Sequence, residues 1–154
     1  MSPKANQKFP VLSTRRLTLR APTMKDVSEF QALLATPDVT RFSNWPDAPK
    51  QAQVERSLRW MSRVHASGKG CAWIIEIAGS RVLAGAIRFN SFEKKWRCGE
   101  IGYELHPDHW GKGLMRQAVA HPVAWSPLIS SDRLTAAASA GVRRTSMSRP
   151  GNRP

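Results

Sequence analysis

The run EIGYELHPDHWGKGLMRQAVA, Glu100 to Ala120, constrains this chain more than any other. A short strand-like stretch passes through two glycines set about Lys112. It then enters a segment in which Leu114, Ala118 and Val119 recur at helical spacing. Glycine at a helix entrance tolerates positive φ and has no side chain to obstruct a close neighbour. A helix's first turn presents unpaired backbone N–H groups and the positive end of its dipole, so the loop from Gly111 to Arg116 suits an anion, phosphate in particular. Lys112 or Arg116 can add a cationic contact at the rim. One such dipole contact is worth only about 0.3–1 kcal/mol when exposed, so several donors must converge. Two nucleotide motifs fail on spacing. The Walker signature requires the lysine after the second glycine, whereas Lys112 lies between the two; the dinucleotide fingerprint requires a third glycine where Arg116 stands.

The flanking sequence supplies the rest of a domain. RRLTLRAP, Arg15 to Pro22, alternates Leu17 and Leu19 with polar residues and predicts a first strand. A helix follows with Thr23 as N-cap, Val27, Phe30, Leu33 and Leu34 on one face, and Pro37 beyond its end. FSNWPDAP is a loop whose aromatics look exposed. Val54, Leu58, Met61 and Val64 then mark a second helix closed by Gly68. CAWIIEI, VLAGAIRF and RCGEIGYEL predict three successive antiparallel strands, the first two joined by AGSR as a hairpin. A third helix follows Gly113, and Pro122 should bend it near residues 118 to 122. SDRLTAA predicts one more strand. The order β-α-α-β-β-β-α-(β) is that of an α+β domain with a mainly antiparallel sheet.

A length of 154 residues fits one domain able to bury roughly 70% of its unfolded surface. The divisions expected are a flexible N-terminus at 1–8, a folded domain at 9–140 and a disordered basic tail at 141–154. MSPKANQKFP has no apolar run of the signal-peptide kind and no stretch is long enough to span a membrane, which predicts a cytoplasmic protein without a membrane partner. Cys71 and Cys98 form neither a disulfide framework nor a zinc pattern, and His106 and His109 stand on a loop without further ligands, so no metal is expected. The net charge of +13 invites a nucleic-acid partner, but its distribution argues against one. Arg133, Arg143, Arg144, Arg149 and Arg153 face Asp132 alone near the end, the remaining excess is diffuse, and no RNA-binding or zinc-finger motif appears.

From LSTRRLTLRAPTMKDVSEFQALLATPDVTRF through WIIEIAGSRVLAGAIRF to GEIGYELHPDHWGKGLMRQAV, roughly residues 9 to 125, the chain resembles GNAT N-acetyltransferases. The branch is that of the ribosomal-protein-alanine acetyltransferases, and EIGYELHPDHWGKG and TRRLTLR carry the likeness most specifically. The resemblance implies the acyl-CoA N-acyltransferase fold, acetyl-CoA as co-substrate, and direct attack of an amine on the thioester without a covalent enzyme intermediate. It implies that the pyrophosphate sits on Trp110, Gly111, Lys112, Gly113, Leu114 and Met115, with Arg116 beside them. Met115 replaces a small residue of the family pattern and should tighten the approach. It also implies that a backbone N–H near Leu105 polarises the thioester carbonyl.

Removing a proton from a lysine amine at pH 7.4 costs about 4 kcal/mol, against under about 1 kcal/mol for an α-amine. A protein N-terminus or a small amine is therefore the expected acceptor. Glu100 and Glu104 lie on one strand face and can point toward one cleft. Glu100 matches the acidic residue before IGY in the family and is the expected base; the alternative for either residue is a solvated surface charge. Phe42, Trp45 and Glu104 are the expected acceptor contacts, with ordinary packing still open for the two aromatics. Tyr103 alternates to the other face and should be core.

Two rival readings stand beside acetyl transfer: a CoA-binding remnant with impaired catalysis, and a basic protein bound to RNA or a ribosome surface. GVRRTSMSRPGNRP lacks the Asn-x-x-Ser helix and Gly-Phe strand of the family and reads as truncated or frame-shifted. Incomplete C-terminal strands would expose a sheet edge, which predicts marginal stability, low turnover and a tendency to associate, a homodimer among the allowed forms.

Overall fold

The structure is a computed structural model and describes residues 8–41, 43, 45–93, 98–125, 134–138 and 146–147. Its strands are β1 (Leu12–Ser13), β2 (Leu17–Arg20), β3 (Cys71–Ile77), β4 (Leu83–Glu93), β5 (Cys98–Leu105), β6 (Leu134–Ala138) and β7 (Ser146–Met147). They lie side by side in chain order in one sheet. Neighbours are antiparallel throughout except β5 and β6, which pair in parallel from Gly99↔Leu134 to Tyr103↔Ala138.

Among the described residues four α-helices punctuate the strands: α1 (Val27–Leu34), α2 (Pro37–Thr40), α3 (Gln51–Ser67) and α4 (Leu114–Trp125). On one sheet face Leu17, Leu19, Trp73, Ile75, Ile87, Phe89, Ile101, Tyr103 and Leu105 pack with Leu114, Ala118 and Val119 of α4. On the other, Ala72, Ile74 and Ala86 meet Phe30, Leu33 and Leu34 of α1 and Val54, Leu58, Met61 and Val64 of α3. Fully burying one such large apolar side chain contributes about 1.5–3 kcal/mol, so the two layers rather than helix propensity hold the domain together. The α+β arrangement, with a mainly antiparallel sheet between helices, is the one the alternating and helical spacings predict.

Local chemistry fixes the element ends. The Thr23 N–H donates to Asp26 Oδ2 at 2.8 Å, and Arg20 donates to both Asp26 oxygens at 2.9 and 2.6 Å and also to Glu76, tying the start of α1 to β2 and β3. The Lys50 N–H donates to Gln53 Oε1 at 2.8 Å before α3, and Gly68 closes that helix at φ +71°. At Gly85 an added Cβ would fall 2.1 Å from the Glu104 carbonyl. There the β3–β4 register slips, with Ile75 opposite Gly85 and Glu76 opposite Leu83, so Ala84 and Ala86, two apart and on one face of a regular strand, lie in opposite layers.

Several details depart from the periodicity. Pro37 begins α2, since proline is well suited to a helix's first turn, instead of only ending α1. Leu12–Ser13 adds a strand to β2 that alternation did not mark. α4 runs continuously through Pro122, although the ring removes the N–H that the Ala118 carbonyl would otherwise accept. Trp45 is half-buried rather than exposed, its ring edge-on to Phe30 at 6.1 Å. Ser146–Met147, within the segment expected to be disordered, pair with β6. Phe42, most of the N-terminal segment and the remainder of the basic tail lie outside the described residues. No helix among the described residues is long and apolar enough to cross a membrane.

Candidate active site

β5 ends at Leu105, and His106 extends the pairing by donating its N–H to the Ala84 carbonyl at 2.8 Å. A single 3-10 turn, Pro107–His109, then swings the chain toward α4, with the His106 ring accepting the Asp108 N–H at 3.2 Å. The Trp110 indole N–H reaches back to the Leu105 carbonyl at 2.8 Å and so fastens the loop to the strand end. Gly111 and Gly113 both have φ +72°, a conformation other residues adopt only under strain. Among the described residues, chain neighbours aside, no atom comes within 4 Å of a Cβ built on Gly111, and on Gly113 only an Arg16 nitrogen does, at 3.7 Å. Backbone conformation, not crowding within the chain, therefore calls for glycine here.

Leu114 is buried beneath the sheet and Met115 packs against the same apolar layer, so these two residues offer the loop their backbone groups. Lys112 and Arg116 are exposed at its rim. Burial, aided by the positive Lys112 and by His106, holds the His109 imidazole below its ordinary pKa, which keeps it neutral near pH 7. Arg16, the residue just before β2, donates Nη1 to the Lys112 carbonyl at 2.8 Å. A second cation thus stands at the loop beside Lys112.

The second half of the site lies on the α1 and α3 side of β5, where Glu100, Gly102 and Glu104 share a face. Arg88 stands opposite Gly102 in register, and a Cβ there would come 3.0–3.2 Å from three guanidinium atoms. Glycine gives the guanidinium room to lie flat and reach Glu104, with Nη1 to Oε2 at 2.6 Å and Nη2 to Oε1 at 2.8 Å. The Trp45 indole N–H donates to Glu104 Oε1 at 3.1 Å. Glu104 is fully buried. Burial opposes the charge on Arg88, but the Glu104 carboxylate outweighs it, with Glu100 adding to the effect, and the guanidinium remains a cation.

Glu100 is the exposed carboxylate of this face, and it accepts a hydrogen bond from Asn90 Nδ2 at 3.1 Å. Asn90 is the extra residue where the β4–β5 register shifts between Phe89↔Ile101 and Ser91↔Glu100, and the bulge turns its amide toward Glu100. Tyr103 lies on the opposite face, buried, and burial raises its phenol pKa.

The structure therefore joins Trp45 to Glu104 and gathers Trp110, Gly111, Lys112, Gly113 and Arg116 at one strand-to-helix turn. Three residues that periodicity did not single out belong to these arrangements: Arg16, Arg88 and Asn90. Arg88 carried a signal, as a charge within the apolar run VLAGAIRF. Arg16 and Asn90 carried none, because one acts across 96 positions of sequence and the other through a bulge. Among the described residues no group of three or more His, Cys, Asp or Glu side chains is placed to hold a metal.

Comparison with known proteins identifies the family and the fold. The acetyltransferase (GNAT) domain family matches residues 16–141. The uncharacterized N-acetyltransferase YoaA of Bacillus subtilis is 30% identical over 117 residues, which cover 76% of this chain and 66% of that protein, so the chain spans a little under two thirds of this relative. Among solved structures, the RimL ribosomal L7/L12 alpha-N-protein acetyltransferase in complex with coenzyme A superposes with a TM-score of 0.68 at 22% identity, over 82% of this chain and 73% of that one. An acetyl transferase from Salmonella typhimurium, described as modifying the N-terminal serine of L7/L12, gives 0.70 at 20% identity, over 82% and 74%. At these identities the structural likeness is one of fold. The family match, spanning most of the chain and taking in both the glycine loop and the Glu100 face, places this protein in the GNAT acetyltransferase family.

Proposed function

We propose that the chain is an N-acetyltransferase that passes acetyl from acetyl-CoA to a primary amine, either a protein N-terminal α-amine or a small amine. The observation that carries this reading is the turn from β5 into α4. Two glycines at φ +72° open the first-turn N–H groups of a helix beside Lys112 and Arg16. A pyrophosphate fits this donor set: the N–H groups of residues 113 to 116 would hold it, with Lys112, Arg16 and Arg116 balancing charge. When bound, acetyl-CoA supplies an activated acyl group.

The chain's own part is to hold, orient and deprotonate. A backbone N–H at the end of β5, near Leu105, stabilises developing negative charge on the acyl oxygen. Glu100, exposed and steadied by Asn90, takes the proton of the attacking amine directly or through water. Trp45, fixed by Glu104, lines the approach of the acceptor. No covalent intermediate is needed, and Cys71 is poorly suited to one, since it is buried and burial pushes its thiol up to about 12. An α-amine acceptor accords with both the lower deprotonation cost and the N-terminal substrates described for the structural neighbours.

Calorimetry with acetyl-CoA and with CoA, followed by CoA-thiol release in the presence of a peptide with a free N-terminus, tests this reading. Saturable binding of both cofactors and amine-dependent thiol release are expected. Absence of cofactor binding would remove it.

A further inference from the structure

Beside Glu100, between the end of β4 and the exposed side of α3, runs a groove of opposite charge. Arg59, Trp60, Arg63 and Ser67 follow one another on a single helical face, and with Val64, Lys69 and Asn90 they line a cavity of 530 Å³. Arg59 lies 3.9 Å from the Glu55 carboxylate on the same helix, and among the described residues neither Arg63 nor Lys69 has an ion-pair partner. Trp60, at 40% exposure, leaves much of a large ring open among these cations. Asn90 belongs to both places: it lines the groove, and its amide donates to Glu100 at 3.1 Å.

We infer that this groove binds an acidic stretch of the acceptor polypeptide while the N-terminal amine of that polypeptide lies at Glu100. The inference rests on the acetyl-transfer reading of Glu100 and names the acceptor class: a polypeptide with aspartate or glutamate a few residues behind its free N-terminus. The order of charges argues for it. An α-ammonium followed by carboxylates complements a carboxylate at Glu100 followed by Arg59, Arg63 and Lys69, with Trp60 open to an apolar side chain. A nucleic acid strand entering the same groove would bring its phosphates against the exposed Glu100 and is disfavoured at that end.

The test uses fluorescence anisotropy with the 154-residue chain. The probes are the peptide Ser-Ala-Asp-Glu-Asp-Glu carrying a fluorescein label at its C-terminus, the same peptide with Asn and Gln for Asp and Glu, and a labelled oligouridine. The acidic peptide should bind about five-fold or more tightly than the neutral one, and the difference should shrink as salt is raised. Arg59→Glu/Arg63→Glu, a change of two exposed side chains, should erase the preference while acetyl-CoA affinity, measured by calorimetry, stays at the parent value. Equal binding of the two peptides, a preference that survives in the double variant, or tighter binding of oligouridine would each overturn the inference. Its failure is separable from that of the catalytic reading: cofactor binding without peptide discrimination removes the groove alone, and peptide discrimination without cofactor binding removes acetyl transfer alone.

Discussion

Arg16 and Lys112 are joined by a hydrogen bond of 2.8 Å from the guanidinium Nη1 to the backbone carbonyl, linking the residue before β2 to the glycine loop across 96 positions. The bond occupies one side of the guanidinium and leaves its other nitrogen beside Gly113. Arg16 therefore holds the loop and brings a cation to it. Arg16→Ala should weaken acetyl-CoA binding about three- to ten-fold by calorimetry, the range for the net worth of one ordinary hydrogen bond, with little change in melting temperature because the side chain is exposed. Arg16→Lys should recover only part of the loss, since an ammonium lacks the guanidinium fork. Parent-like affinity in the alanine variant would show that Arg16 serves the loop's shape at most.

Gly113→Val separates stability from binding. At φ +72° a substituted residue is strained by about 1–2 kcal/mol, and the new Cβ meets nothing closer than the Arg16 nitrogen at 3.7 Å, so the domain should still fold. The branched side chain projects where the phosphates must approach. Acetyl-CoA affinity should fall by more than about thirty-fold, beyond what about 1–2 kcal/mol of loop strain alone supplies. Undiminished binding would place the cofactor site elsewhere.

Most of the core was legible because burial follows period. Leu17 and Leu19 alternate on β2; Phe30, Leu33 and Leu34, and Val54, Leu58, Met61 and Val64, each recur at helical spacing, and all are buried. The glycine loop was legible because Gly111 and Gly113 adopt the left-handed backbone that only glycine takes without strain. The Glu104 environment was not, since its partners Arg88 and Trp45 come from β4 and from the loop after α2, and only sheet register brings them together. A face assignment places Glu100 and Glu104 side by side but cannot say which is exposed. In the structure Gly102 leaves room for Arg88 to pair with the buried Glu104, while Glu100 is exposed.

Asp26 should govern part of the acid limb of stability. Burial alone would raise its carboxyl, but hydrogen bonds from Arg20 and from the Thr23 N–H outweigh burial and hold it below its ordinary value of 3.8. A carboxyl depressed in the folded state contributes stability that is complete above the unfolded pKa and is lost as pH falls through the folded one. Melting temperature should therefore decline as pH drops below about 4. Asp26→Asn should be less stable at pH 7 and show a shallower decline over the same acid range. Parallel curves for the two proteins would remove Asp26 from the acid limb.

Glu100→Gln keeps the side chain's size and can still pair with Asn90, but it cannot take a proton. If Glu100 is the base, kcat should fall by about 10²-fold with KM for acetyl-CoA unchanged, and the rate should depend more steeply on pH as only the already neutral fraction of the amine reacts. The pH–rate profile is the deciding measurement, because a merely structural role would lower the rate without altering its shape. An unchanged rate and profile would take Glu100 out of the mechanism.

The buried pair Arg88–Glu104 yields the most demanding test, because it separates the pair from what the pair positions. Arg88→Met removes the guanidinium from a fully buried carboxylate, and breaking one side of a buried ion pair costs about 3–5 kcal/mol. A loss of unfolding free energy of that order, measured by denaturant titration, is expected. Adding Glu104→Gln removes the buried charge that caused the loss, so the double variant should regain most of the stability, since a buried pair replaced as a whole is often near neutral. Its function should not recover to the same extent. The Trp45 indole takes its orientation from Glu104 Oε1 at 3.1 Å, and a glutamine freed from Arg88 can present either its oxygen or its amide to that N–H. The double variant should therefore show a raised KM for the amine acceptor, with KM for acetyl-CoA held, since the glycine loop lies on the other side of β5. Recovery of stability and acceptor KM together would mean that Trp45 only packs; recovery of neither would mean that Arg88 has a structural role beyond its ion pair.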